Sequence, residues 1–183
     1  MRNAADIGDR FAAELVHRCF RENAEIDSPW VRRAARVRYP PRMEYESART
    51  VVYPWNCDSM GHFATQHCMK LFDDATYHLL GALGYSLRDA HTTRRGWADV
   101  SHKINYLSEL RAGDLLVAYS SVQRVGNKSL TYRTRLVRAE LPQDDCAILT
   151  GVVVHFDLER RCALVLPDAI RAAALKAMGE RAP

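Results

Sequence analysis

The stretch from residue 51 to residue 84, VVYPWNCDSMGHFATQHCMKLFDDATYHLLGALG, decides the fold. It opens inside a β-branched and aromatic run that predicts a strand over residues 48–55, followed by a loop that contains Gly61. Apolar residues at helical spacing then predict one long helix over residues 64–83, with Gly84 as its C-terminal stop. Because the apolar positions spread beyond a single stripe, we expect this helix to be largely enclosed.

Beyond the helix the pattern changes from helical to alternating. Four further strands and a short final helix are predicted, over residues 97–107, 115–125, 129–137 and 147–156 and over residues 167–178. Gly126 and Asn127 mark a hairpin turn between the second and third of these strands. The order of strand, long helix and four strands predicts an α+β fold, in which an antiparallel β-sheet is wrapped around one long central helix.

Five short motifs follow one another along the chain. They are Asp58-x-x-Gly61-His62, Phe72-Asp73-Asp74-Ala75, Gly113-Asp114-Leu115, residues 126–130 and residues 166–171. In this order they resemble the 4-hydroxybenzoyl-CoA thioesterase family, and the resemblance covers residues 47–172. It implies the hotdog fold and the hydrolysis of acyl-CoA thioesters with no cofactor, coenzyme A being part of the substrate. It also implies a homodimer or homotetramer with the site at the subunit interface.

The sequence departs from the family pattern where the long helix begins. Family members often carry Asn after the Gly-His-apolar step and Tyr a few positions later, where this chain has Ala64, Thr65 and Cys68. The departure affects the identity of the substrate more than the fold. The step from Phe72 to Thr76 is more similar to the branch that contains short-chain and betaine-type acyl-CoA thioesterases.

Asp58 is the main catalytic candidate. Thioester hydrolysis needs a nucleophile or general base beside the carbonyl carbon, and donors where negative charge develops on the oxygen. Asp58 precedes the helix by a short loop, and free backbone N–H groups near Ala64 and Thr65 could polarise the carbonyl. By resemblance, Asp58 either attacks the carbonyl to form a mixed anhydride or activates water, and both routes stay open. The alternative is an Asp that only caps a turn.

His62 and Asp73 are the secondary catalytic candidates. His62 either orients Asp58 or the water, or only holds the loop, and we prefer the structural role. Asp73 lies two to three turns into the helix, where a related hotdog lineage places its catalytic carboxylate, so it is the second candidate nucleophile. For the adjacent Asp74 we favour a salt-bridged or solvent-facing role.

The remaining predicted contacts concern the substrate and metals. Predicted substrate-binding residues are Gly61, Arg124, Lys128 and Ser129, where cations near the hairpin could meet the phosphates of coenzyme A. The alternative for Arg124 and Lys128 is solubilising charge on an exposed strand. No metal site is expected, because the spacing of His62, His67 and His78 does not gather ligands on one helical face.

Composition predicts one domain with an extension. The 183 residues, 48% of them hydrophobic, suit a single core at 47–178 preceded by a basic extension at 1–46 that is partly helical or disordered. Nine arginines against six acidic residues stand in the first 42 positions. One interpretation makes Met43 the native start and residues 1–42 an over-extended reading frame, and a docking arm is the alternative.

Charge and apolar patterning exclude several classes of partner and compartment. The body is nearly neutral, which argues against nucleic-acid binding. No apolar run is long enough for a membrane span, no secretory signal is indicated, and five cysteines without a CxxC pair argue against a disulfide framework. We therefore expect a cytoplasmic protein. Two functional alternatives to a thioesterase remain open: a hotdog hydratase or dehydratase, and a non-catalytic module that binds acyl-CoA.

Overall fold

The computed structural model describes residues 43–179, and the predictions for residues 1–42 lie outside the described residues. The first strand begins two residues before the predicted domain start, and a short 3-10 helix (Pro54–Asn56) separates it from the long helix. The remaining elements follow in chain order. Their bounds are β1 Tyr45–Val51, α1 Thr65–Ala82, α2 Leu87–Thr93, β2 Arg95–Tyr106, β3 Leu115–Val125, β4 Ser129–Arg138, β5 Leu141–Asp157, β6 Cys162–Ala163 and α3 Asp168–Ala177.

The strands form one antiparallel sheet in the order β1-β3-β4-β5-β2, and the short β6 pairs with β5. The predicted architecture, an antiparallel sheet around one long helix, is confirmed. The prediction for β1 ended too late, because Pro54 opens the 3-10 helix and stops the strand. The prediction for β5 began too late, because the polar residues 143–145 hide the first part of a strand that is paired with β4.

Helix α1 packs one face against the concave side of the sheet. Its buried side chains recur every three to four residues, at Cys68, Leu71, Phe72, Ala75, Thr76, Leu79 and Leu80. Burying each large apolar side chain of this kind contributes about 1.5–3 kcal/mol. The opposite face, which includes Lys70, Asp73 and Tyr77, is exposed in the described part of the chain. The expectation that the helix is enclosed was therefore wrong for a single chain, whose one sheet covers only one side.

The strand order leaves β2 at an edge of the sheet. Within residues 43–179 its outer side pairs with no other strand, and Val100 on it is 59% exposed. The helix-facing side of β4 is deeply buried, and Leu130, Tyr132 and Leu136 on it are almost completely inaccessible. This inner face and the β2 edge set the surroundings of the site.

Candidate active site

A tight loop between the 3-10 helix and α1 carries Asp58. Cys57 and Phe63 pair across its base, and the N–H of Asp58 donates to the carbonyl of His62 at 2.8 Å. The N–H of Gly61 donates to the carbonyl of Asp58, and Gly61 has a φ of +77° that L-residues rarely adopt. A β-carbon at Gly61 would meet no atom within 4 Å, so glycine is needed there for its backbone conformation. Its predicted contact with substrate stays a prediction.

The Asp58 carboxylate is held by backbone donors. Its Oδ1 accepts the N–H of Met60 at 2.8 Å and the N–H of His62 at 3.1 Å. The bond from His62 is the main cause that lowers the pKa of Asp58, the bond from Met60 adds to it, and desolvation opposes it. The other oxygen, Oδ2, accepts no hydrogen bond from residues 43–179, so the loop presents one ionised oxygen without a partner in this part of the chain.

The His62 ring pairs with Glu109. Its Nε2 lies 3.2 Å from Oε2 of Glu109, and Arg111 donates to the same oxygen at 2.8 Å. The backbones of His62 and Arg111 also form a β-bridge. In this arrangement His62 ties the loop to the segment before β3, and its role, structural or catalytic, stays a prediction.

The first turn of α1 offers two backbone donors. The predicted donor at Ala64 needs correction, because its N–H is already bonded to the carbonyl of Asn56 at 2.9 Å. The helix has no side-chain cap, and the N–H groups of Thr65 and Gln66 have no acceptor in the described part of the chain. Orphan N–H groups at a helix N-terminus attract negative charge. The Thr65 and Gln66 donors are therefore the pair that could hold a carbonyl oxygen, with Gln66 missed by the sequence prediction.

Asp73 lies on the exposed face of α1, eight residues after Thr65, which is about 12 Å along the helix axis. Burial raises its pKa most, and the negative charges of Asp99 and Asp74 add to the effect. Within one chain it is therefore distant from the helix N-terminus. Asp74 forms an ion pair with Lys70, which agrees with the structural role favoured for it.

A polar cluster beside Asp73 was not predicted. Nε2 of His102 lies 3.1 Å from Oδ1 of Asp99 and 3.2 Å from the hydroxyl of Tyr132. Tyr132 is 1% exposed, and burial is the main cause that raises its pKa to about 12. Asp99 and His102 belong to the edge strand β2, whereas Tyr132 belongs to β4.

The predicted phosphate contacts lie elsewhere in the sheet. Arg124, Lys128 and Ser129 flank the β3–β4 hairpin, and Nζ of Lys128 donates to the carbonyl of Ala163. In the pairing of β1 with β3, Val51 pairs with Leu115 at the end of the sheet near the start of α1, and Tyr45 pairs with Ser120 further along β3. The hairpin follows the far end of β3, so it lies toward the opposite end of the sheet. Within one chain the structure does not bring these residues to Asp58, and their role stays a prediction.

A groove of about 610 Å³ runs between β1, the 3-10 helix and one side of α1. Tyr53 and Trp55 stack at its wall with ring centroids 4.5 Å apart, and Trp55 is 72% exposed. Phe63 and His67 extend the groove to the first turn of α1. Neither Asp58 nor Asp73 lines it.

Among residues 43–179, no group of three or more His, Cys, Asp or Glu side chains could hold a metal ion. In the same part of the chain, none of the helices combines the length and apolar character of a membrane span.

This architecture matches a known family of proteins. The model of the thioesterase-like superfamily matches residues 52–174, more than half of the chain, and the chain belongs to that superfamily. The predicted hotdog fold and the predicted enzyme class, thioester hydrolase, are confirmed at the level of the family. No curated protein matches this chain closely enough to count as a relative.

Three solved structures show the likeness in fold. A Staphylococcus aureus protein in complex with CoA has a TM-score of 0.68 at 14% identity, over 79% of this chain and 90% of that one. The 1,4-dihydroxy-2-naphthoyl-CoA thioesterase of Synechocystis gives 0.62 at 17%, over 73% and 96%. The gentisyl-coenzyme A thioesterase BH1999 gives 0.61 at 18%, over 71% and 98%.

Proposed function

We propose that this protein hydrolyses acyl-CoA thioesters to a free acid and CoA, with Asp58 as the reacting carboxylate. The observation that carries the proposal is the pairing of one free, ionised carboxylate oxygen on the Asp58 loop with two free N–H groups where that loop enters α1. Nucleophile and oxyanion donors are the two parts that acyl transfer requires. Membership of the thioesterase-like superfamily supports the same reaction.

The lowered pKa of Asp58 favours a nucleophilic role over a basic one. A carboxylate whose pKa lies below its ordinary value is a weak proton acceptor near neutral pH, but it is fully ionised and can attack carbon. Oδ2 of Asp58 would bond to the carbonyl carbon while the N–H groups of Thr65 and Gln66 hold the oxyanion. The C–S bond then breaks, CoA leaves as the thiolate and takes a proton from solvent, and water hydrolyses the mixed anhydride to release the acid and Asp58.

The proposed substrate carries CoA, in keeping with the CoA complex of the similar S. aureus protein. Two observations bear on the acyl group. Two of the similar proteins are thioesterases of hydroxylated aromatic acyl-CoAs, whereas the sequence motif from Phe72 to Thr76 favours short-chain acyl-CoAs. Both classes belong in a substrate panel. We propose that no cofactor takes part and that the protein works in the cytoplasm.

We also propose a homodimer joined through the β2 edges, with a homotetramer as the alternative assembly. The outer side of β2 is unpaired in the described chain and its residues 99–103 are exposed. An unprotected strand edge pairs readily with a second strand. Such a dimer would continue the sheet across two copies and place each site near the interface.

Thiol release tests the function. The wild-type protein is incubated with short, hydroxyaromatic and long acyl-CoAs, and free thiol is followed over time. We expect turnover of at least one class with a kcat in the range of about 1–10³ per second typical of enzymes. A chain that binds acyl-CoA without releasing thiol would support the non-catalytic binding module, and hydration of an enoyl-CoA would support the hydratase.

A further inference from the structure

Asp99 and His102 face the same side of the sheet because of a bulge in β2. In a regular strand, residues three apart point to opposite faces. The pairing of β2 with β5 shifts between Asp99 and Ser101, so Val100 is an extra residue that reverses the alternation. Both polar side chains therefore meet on the side of the sheet that faces α1, near the buried Thr76 and close enough to the exposed Asp73 to interact with its charge.

Gly151 allows Tyr132 to reach this pair. In the register of the sheet, His102 pairs with Gly151 and Gly151 pairs with Tyr132, so the three residues form a row across β2, β5 and β4. A β-carbon at Gly151 would lie 2.5 Å from the Tyr132 hydroxyl and 2.6 Å from Cε1. The phenol therefore crosses over β5 at the one residue of the row that has no side chain, and it contacts His102.

The hydrogen bonds define the tautomer of His102. A carboxylate can only accept, so Nε2 carries the proton that is donated to Asp99. The Tyr132 hydroxyl is hydrogen-bonded to Thr76, whose own hydroxyl donates to the carbonyl of Phe72. In the neutral imidazole Nδ1 keeps its lone pair, and this nitrogen has no partner within residues 43–179. An imidazole oriented by a carboxylate, with its other nitrogen free, is the arrangement of a general base.

Distance decides which site this base can serve. The Tyr106 side chain is hydrogen-bonded to Thr65 at the start of α1, and His102 lies four residues earlier on β2, about 13 Å along the strand. His102 therefore cannot reach the thioester site of its own chain. In an antiparallel pairing of two β2 edges, the second copy runs in reverse, and a two-fold axis near Ile104 would place its residue 102 opposite Tyr106.

We propose that His102, oriented by Asp99 and Tyr132, is a general base that a second copy of this chain contributes to the Asp58 site. The inference rests on the proposed thioesterase function. Nδ1 takes a proton from water as the water oxygen bonds to the acyl carbon of the mixed anhydride. The bond between that carbon and the Asp58 oxygen then breaks, the carboxylate leaves with the electron pair, and the proton on Nδ1 returns to solvent.

A mixed dimer tests the contribution between copies. Asp58→Asn and His102→Gln chains carry different affinity tags, are co-expressed, and the heterodimer is purified over both tags. Each homodimeric variant should lose about 10²- to 10⁴-fold in kcat with KM changed less than about threefold. The heterodimer should regain about half of the wild-type rate, because one of its two sites combines an intact Asp58 with an intact His102.

The possible results separate the two claims. A wild type that releases no thiol refutes the proposed function, and this inference with it. An active wild type with an equally active His102→Gln variant refutes only the inference. If both homodimeric variants are slow and the heterodimer is equally slow, His102 acts within its own chain. That result would also overturn the inference.

Further variants distinguish a base from a structural residue. Added imidazole should partly restore the rate of His102→Ala and leave that of Asp58→Asn unchanged. Asp99→Asn should lower kcat, and combined with His102→Gln it should be no slower than His102→Gln alone, because Asp99 acts through the imidazole. His91→Gln on α2 is the matched exposed control and should keep the wild-type rate, and all variants are compared by circular dichroism and oligomeric state.

Discussion

The close approach of Tyr132 to Gly151 predicts a large and specific loss of stability. In Gly151→Ala the new methyl group would overlap the phenol, which is 1% exposed and held by His102. Neither the backbone of β5 nor the buried ring can move away freely, so we expect overpacking to cost about 1–3 kcal/mol of unfolding free energy. Urea denaturation followed by circular dichroism measures it.

A matched substitution should have the opposite sign. Gly81 lies on the exposed side of α1, and a β-carbon there would meet no atom within 4 Å. Gly81→Ala should therefore stabilise the protein by about 0.5–1 kcal/mol, since alanine favours the helix. In a Tyr132→Leu background the cost of Gly151→Ala should largely disappear. If Gly151→Ala is as stable as the wild type, the Tyr132 ring does not cross β5. The proposed orientation of His102 by Tyr132 would then be wrong as well.

Two further predictions concern the loop and helix α1. Gly61→Ala should destabilise the protein by about 1–2 kcal/mol, because residue 61 has a positive φ, and Gly61→Asn should cost less. Urea titrations compare the two variants with the wild type directly. Equal stability of all three proteins would contradict backbone strain at this position. The pKa of Asp73 is raised in the folded chain, so its contribution to stability is present below the ordinary pKa of 3.8 and lost as the pH rises through the folded value. Asp73→Asn should therefore raise the unfolding free energy at pH 7, with the gain vanishing below pH 3.8, and a gain that persists in acid would contradict this cause.

The fold was predictable because its signals are local. The helix predicted over 64–83 is observed as Thr65–Ala82, and the strand predicted over 115–125 is observed as Leu115–Val125, since both show clear periodicity. The short α2 and β6 were missed because each is too brief to show a period. The motif that contains Asp58 likewise lies within a few residues of sequence.

The cluster around His102 could not be predicted in the same way. It joins side chains 30 residues apart, and the bulge at Val100 reverses an alternation that the sequence alone would continue. One signal was present: Gly151 lies in the interior of β5, directly before three valines, and a glycine inside a strand indicates a bulge or the close approach of another group. The free donor at Gln66 was missed because only the structure shows that the Ala64 N–H is already bonded to Asn56.

In the proposed mechanism Asp58 reacts with the substrate and does not merely cap a turn, and Asp157 provides the matched control. Its Oδ1 also accepts two backbone N–H groups, from Glu159 at 2.9 Å and Arg160 at 2.8 Å, and these bonds lower its pKa in the same way. In each Asn variant the amide oxygen can keep both bonds, so the two should be similarly stable.

The most direct measurement is the kcat for thiol release by the wild type, Asp58→Asn and Asp157→Asn on the best substrate of the panel. We predict a loss on the order of a hundredfold or more for Asp58→Asn and no loss for Asp157→Asn. Wild-type turnover by Asp58→Asn, or an equal loss in both variants, would show that Asp58 only shapes its loop.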